Sequence, residues 1–306
     1  MKRLRKNKEL KLIHMVYINL NYLHKMKFII FIFLSIIIST NASCNTGQQE
    51  LTYDGEFDST KFNNCKETIQ TITLTSATTI PNNAFFNFPN LKTINAPLAT
   101  SIGDNAFYEC TSLESVHLPV VETIGENAFF RSILTSITAP VATSIGKSAF
   151  QQCSNLVSVD LPLAETISES AFAFTSSLKS LNLPVVVTIN NNAFYGSTNI
   201  ESLSITDVGY SVIKNQNQLN NLKTLTYYGT TIGFDATSLT TISLPLVTSI
   251  PDTAFANLIS LTTASAPLAI SIGTGAFMGC VALESVDLPL AQTIGTYAFA
   301  NCVALV

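Results

Sequence analysis

At 306 residues the chain is long enough for two globular domains, but only 12% of its residues are charged, it has no Trp, and Ser, Thr and Asn carry most of its polarity. Eight of its 16 basic residues and one of its 20 acidic residues lie in the first 27 positions, leaving 8 basic and 19 acidic residues and a net charge of −11 in the remainder. A negative body with singly scattered basic residues excludes an electrostatic footprint for nucleic acid and argues against adsorption onto an anionic membrane.

The first element in chain order is Phe28–Ile38, an apolar run of eleven residues broken only by Ser35. A membrane span needs roughly 20 such residues, so the run is short for a transmembrane helix. It follows Lys25-Met26-Lys27 and precedes the small residues Ser39 to Ser43. A basic region, an apolar core and a small-residue exit together read as a secretory signal peptide occupying residues 1–43. Met26 reads as the true start, with cleavage after Ala42 or Ser43. Cys44 directly follows, so lipid modification at that residue is an alternative, weakened by Asn41 where an aliphatic residue is usual. An uncleaved signal anchor is the third reading. The expected location is extracellular or at the cell surface.

Residues 44–68 fit no repeat and are read as an N-terminal cap. From residue 69 to 306 one pattern recurs: a Pro, an Ile five residues later, an Ala-Phe pair, then a Leu opening a short apolar strand. The Phe positions are 85, 107, 129, 150, 172 and 194, then 255, 277 and 299, at steps of 22 except for one of 21 and one of 61. A fixed period of this size is the signature of a solenoid. Coils start near Ile72, Asn95, His117, Thr138, Asp160 and Asn182, pass through two irregular coils within 204–242, and resume at Ser243, Ser265 and Asp287. That makes about eleven, the last incomplete; the step of 61 divides into 22, 22 and 17. In Leu113–Pro119, Val116 and Leu118 alternate with Ser115 and His117, the period of a half-buried strand. Pro119 ends it, because Pro cannot donate to a ladder. Ile124 re-enters the core, Gly125 permits a bend, and Phe129 fills the centre. No single coil can bury its own face, so stability must come from neighbours.

Six Cys in an exported chain prompt a search for disulfides. Cys110, Cys153, Cys280 and Cys302 all stand three residues after a repeat Phe, where other coils carry Ser132, Thr175 and Ser197. A place that accepts Cys, Ser or Thr is a small packing site, so these four are expected as free thiols. Cys65 pairs with Cys44 if Cys44 carries no lipid.

The stretches LESVHLPVVETIGENAF, LKSLNLPVVVTINNNAF and LESVDLPLAQTIGTYAF resemble the BspA-like form of the leucine-rich repeat family. The resemblance covers residues 69–306. It implies a right-handed repeat solenoid of about eleven 22-residue coils with a parallel β-sheet on the concave face. It also implies cell-surface or secreted proteins of host-associated microbes, implicated in adhesion to matrix proteins or cells. It brings no catalytic residue and no cofactor.

On that fold the outward strand positions form two stripes whose central members are Ser115, Ser136, Ser158, Ser180 and Ser202, and His117, Thr138, Asp160, Asn182 and Ser204. They read either as an uncharged hydrogen-bonding face for a protein or glycan partner or as a solvated sheet surface of strand-tolerant residues. The stripes lack the Tyr, Trp and Arg that carry most hot spots, so affinity per coil should be low and repetition must compensate. A second ladder before the repeat Ile, including Ser101, Thr123, Ser249 and Ser271, is expected to hydrogen-bond nearby backbone. In the irregular coils Tyr210, Tyr227 and Tyr228 form a candidate exposed patch, set against the plainer reading of a degenerate coil.

Beyond residue 43 the chain has one His, His117, which leaves no His-based triad and no His/Cys metal set, and there is no Gly-rich phosphate loop. The reading is therefore an exported binding protein and no enzyme, binding a protein or glycan on a host or neighbouring cell, with adhesion as its role. The alternative is a structural or antigenic surface repeat without a dedicated ligand. Membrane contact is confined to an N-terminal lipid or signal anchor. The apolar last coil leads to an expectation of end-to-end self-association.

Overall fold

The computed structural model describes residues 44–55, 57–215, 219–229 and 237–306. The signal-peptide and anchor readings for residues 1–43 lie outside these. The described chain is a parallel β-solenoid in which each regular coil has three sides and a Phe at its centre.

The concave side carries the longer strands. The first of its two sheets holds β1 (Glu50–Tyr53), β2 (Thr71–Leu74), β4 (Thr93–Asn95) and β6 (Ser115–His117). The second holds β8 (Ser136–Thr138), β10 (Ser158–Asp160), β12 (Ser180–Leu183), β14 (Ser202–Ile205), β15 (Thr224–Tyr227), β16 (Thr241–Ser243), β18 (Thr263–Ser265) and β20 (Ser285–Asp287). Pairing is parallel and in register, for example Val159 opposite Ile137 and Leu181. The 17-residue step is taken without loss of pairing, Thr224 standing opposite Thr241.

A second side was not foreseen. Two-residue strands at the Ser/Thr-Ile positions form β3 (Thr79–Ile80), β5 (Ser101–Ile102), β7 (Thr123–Ile124), β9 (Ser144–Ile145), β11 (Thr166–Ile167) and β13 (Thr188–Ile189). Beyond the irregular coils the same ladder resumes as β17 (Ser249–Ile250), β19 (Ser271–Ile272) and β21 (Thr293–Ile294). The expected hydroxyl-to-backbone bonding falls one residue earlier, where Thr100 Oγ1 donates to Thr78 O at 3.1 Å and Thr143 Oγ1 to Glu122 O at 3.4 Å. The ladder hydroxyls themselves meet one another, Ser249 Oγ and Ser271 Oγ at 2.7 Å.

The third side runs past the Phe. Alternate backbone N–H groups reach the next coil: Ser170 to Asn191 O at 3.3 Å, Phe172 to Ala193 O at 2.7 Å, Phe174 to Tyr195 O at 2.7 Å. Aiming every second N–H along the stack requires left-handed residues at fixed places. Asn83, Asn105, Asn127 and Asn192 are suited to that region, with φ from 52° to 58°. Glu109, Arg131, Gln152 and Phe174 are not, yet have φ from 54° to 62°. Each is held there by its bond to the following coil, at a cost of about 1–2 kcal/mol per residue.

Inside, Phe85, Phe107, Phe129, Phe150, Phe172, Phe194, Phe255 and Phe277 are fully buried or nearly so. Their rings stack at 5.1–5.4 Å within each regular run, as with Phe150 over Phe172 at 5.1 Å and 2°. Except after Phe85 and Phe255, where Phe88 and Leu258 stand, the position three residues after the Phe holds a small donor, and a bond explains it. Cys110 Sγ donates to Phe85 O at 3.1 Å, Cys153 to Phe129 O at 3.1 Å, Cys280 to Phe255 O at 3.0 Å, and Ser197 Oγ to Phe172 O at 2.9 Å. Cys, Ser and Thr alternate there because each is a small side chain with one donor. The four repeat Cys are free thiols.

Residues 44–65 close the N-terminal end. β1 extends the concave sheet by pairing with β2, and Phe62 sits edge-on over Phe85 at 5.1 Å, at the head of the ring stack. Cys44 Sγ is bonded to Cys65 Sγ, tying the start of this segment beneath Phe62. The same sulfur then has no valence left for a thioether-linked lipid, so the lipid alternative for Cys44 gives way to the disulfide.

Candidate ligand-binding face

Every stripe residue read from the sequence lies on the outward face of the concave sheets. Ser158, Asp160, Ser180, Asn182, Ser202 and Ser204 are half-buried between neighbours in register. Ser115, His117, Ser136 and Thr138 are exposed. Asn182 Nδ2 donates to Asp160 Oδ1 at 2.7 Å, and Ser265 Oγ donates to Asp287 Oδ2 at 3.1 Å, so the stripe is partly bonded to itself. Asn95 Oδ1, next to His117, is buried and has no hydrogen-bond partner among the described residues. Below the stripes, Glu201 lies between Lys223 Nζ at 2.8 Å and Lys179 Nζ at 3.0 Å. Hydrogen bonding from Lys223 and then Lys179 lowers its carboxyl below the usual glutamate value.

Of the two readings of the irregular coils, an exposed tyrosine patch is not what Tyr210 and Tyr227 form. Tyr210 lies on helix α1 (Asp207–Asn215) and is buried, as is Tyr227; their rings meet edge-on at 5.9 Å. Tyr227 Oη donates to Asp207 Oδ1. Burial, then that bond, raises the phenol above its ordinary value. Tyr228 is half-buried, with its backbone N–H on Ile205 O at 2.8 Å. Apolar periodicity was hidden here because the coil trades its short second strand for α1. The helix approaches so closely that a Cβ at Gly209 would stand 2.3 Å from Ile205 Cγ1. It packs against β13, and no other described element is in comparable contact with it.

Two further surface features escaped sequence reasoning. Phe86, Tyr108 and Phe130 stack on the third side at 5.1 and 4.8 Å, and the Arg131 guanidinium lies 5.3 Å over Phe130. The adjacency was visible only as an aromatic after the repeat Phe in three successive coils. On the second side an open groove of about 650 Å³ is lined by Thr79, Ser101, Thr123, Gly103, Gly125 and Asp104, among others. Its acceptors are in use, since Asn82 Oδ1 takes the Asp104 N–H and Asp104 Oδ1 the Glu126 N–H, both at 2.8 Å.

Among the described residues no three His, Cys, Asp or Glu side chains are grouped to hold a metal ion. Burial pushes the Cys110 and Cys153 thiols up to about 12, away from nucleophilic behaviour at neutral pH. No helix among those residues is long and apolar enough to cross a membrane.

An in-register parallel solenoid with a Phe spine and a Leu-opened strand in every coil is a leucine-rich repeat protein. The chain belongs to the BspA type leucine-rich repeat family, whose model matches residues 38–157, 78–201, 143–262 and 230–306. A leucine-rich cell surface protein from Faecalibacterium prausnitzii is 23% identical, with 87% of this chain and 73% of that one covered and a TM-score of 0.44. For a leucine-rich repeat protein from Bacteroides ovatus the values are 22%, 83%, 81% and 0.39, and for an internalin from Listeria monocytogenes 17%, 80%, 75% and 0.48. No curated protein matches the chain.

Proposed function

We propose that this chain is an exported cell-surface or secreted protein that binds a protein or glycan partner through its concave face, acting in adhesion to host cells or matrix. The observation that carries the reading is the concave face itself, as the described residues form it. Ser, Thr, Asn, Asp and one His project in two registered stripes, and the single inserted helix among the described residues packs elsewhere, on β13. The BspA-type family and the N-terminal sequence pattern support the surface location. With no aromatic or Arg anchor in the stripes, each coil contributes little and affinity must accumulate along the ladder.

The test is binding to immobilised matrix proteins and a glycan array, with Asp160→Lys and Asn182→Lys as a concave double variant and Glu122→Lys as a control on the second side. The concave variant is expected to bind at least tenfold more weakly and the control to bind as wild type. Absence of binding by a folded chain at micromolar concentration would favour a displayed repeat without a dedicated ligand.

A further inference from the structure

The concave surface is not one sheet. Ladder bonds cross every described step along it, as from Glu114 N–H to Lys92 O at 2.9 Å and from Val157 N–H to Thr135 O at 2.8 Å, except the step between β6 and β8. Most residue pairs of these two strands lie more than 8 Å apart. Adjacent strands sit ~4.8 Å apart, and a place left for one strand spans ~9.6 Å. Exposure differs across the step: Val116 in β6 is half-buried with exposed neighbours, as in the terminal strand β20, whereas Ile137 in β8 is buried like its equivalents in central strands.

The cause is in the sequence. The step from Phe129 to Phe150 is 21 residues, and the missing one falls between Ser132 and Leu134. The Phe129 and Phe150 rings still stack at 5.2 Å, and β7 still pairs with β9. With the second and third sides of the coil held at normal spacing, the shortfall opens the concave side. By the register of the neighbouring coils, the groups facing the opening are the Glu114 carbonyl and Leu118 N–H on one edge, and the Thr135 and Ser136 N–H groups and Thr138 carbonyl on the other.

We infer that the opening between β6 and β8 is a strand-addition site, which takes an extended segment of about five residues from a partner polypeptide. Two facing edges with unpaired backbone groups, most of their residue pairs more than 8 Å apart, specify backbone as the ligand. The pleat then sets the side chains: alternate residues of the segment point inward beside Val116 and Ile137 and are apolar. The others lie among Ser115, His117, Ser136 and Thr138 and are small or polar. The inference rests on the proposed use of the concave face and gives it a mode of recognition.

Amide exchange in the protein alone comes first. Leu118, Thr135 and Ser136 are expected to exchange at least a hundredfold faster than Leu161 and Val157; equal protection would mean a closed sheet and overturn the inference. The probe is acetyl-LESVDL-amide, the sequence of residues 283–288, titrated by NMR to millimolar concentration. Expected are shifts and slowed exchange at those three amides, at least tenfold weaker binding of the same peptide N-methylated at Ser and Asp, and loss of binding in a variant with one Ser inserted after Ser132. A probe that leaves these amides unmoved, or one whose binding survives N-methylation, overturns the site. Self-association at the same protein concentrations, abolished by the insertion, would overturn the partner assignment in favour of a second copy. Matrix or glycan binding that persists in the insertion variant leaves the broader reading standing, so the two can fail separately.

Discussion

Replacing Phe172 by Ala removes a ring from the middle of the spine. The ring is fully buried, 5.1 Å from Phe150 at 2° and 5.4 Å from Phe194 at 3°. Core Phe→Ala changes cost about 3–5 kcal/mol, and the size depends on how far the site can collapse. Here collapse is resisted. Phe172 N–H is bonded to Ala193 O at 2.7 Å, and its carbonyl accepts from Ser197 Oγ and Thr175 Oγ1, both at 2.9 Å. The strands on the other two sides fix the coil spacing independently. Two stacked contacts, each about 0.5–1.5 kcal/mol beyond area burial, are also lost. The expected cost is therefore in the upper half of the range, about 4–5 kcal/mol. Phe174, two residues on, is 45% exposed and makes one edge-on contact with Tyr195, so Phe174→Ala should cost about 1 kcal/mol. Urea unfolding followed by far-UV circular dichroism compares the two, with m-values checked because solenoids can unfold in parts. Equal costs for the two variants would refute the reasoning.

Ser197→Cys should change stability by less than about 0.5 kcal/mol because the thiol keeps the donor to Phe172 O, whereas Ser197→Val should cost about 1–2 kcal/mol by removing it; indistinguishable melting of the two would reject the donor argument. Cys110 and Cys153, with thiols raised to about 12, should resist iodoacetamide at pH 8 in the native protein and react on unfolding. Rapid native labelling, read by mass spectrometry, would contradict their burial. Glu201, lowered by its two lysines, favours the folded state above the usual carboxylate range, and that contribution is lost as pH falls through its depressed folded value. An NMR titration should place its carboxyl below an ordinary glutamate, with Glu201→Gln flattening the acid limb of stability and added salt shrinking the difference. A normal titration would show that the lysine pair does not act on it.

Much of the fold is legible because each coil repeats the same local solution. Pro and Leu bound a strand of alternating residues, and an Ala-Phe pair every 22 residues leaves few ways to bury the ring except over its neighbour. The stripes from Ser115 to Ser204 follow from the same alternation. The tyrosines of the irregular coils were misjudged because α1 replaces a strand, and a Tyr reads alike whether its ring faces water or another Tyr. The Cys/Ser/Thr alternation was recognisable as a small site, but its acceptor, a carbonyl about 25 residues earlier, belongs to another coil.

Sequence by itself determined the period, the Phe spine, the outward stripes and the 21-residue step between Phe129 and Phe150. The tertiary structure alone decided where that missing residue is felt. Ring stacking and the β7–β9 pairing fix two sides of the coil at the normal spacing, so the deficit is expressed on the concave side, as an opening between β6 and β8. A one-residue deletion has no location in space until the contacts that resist it are known.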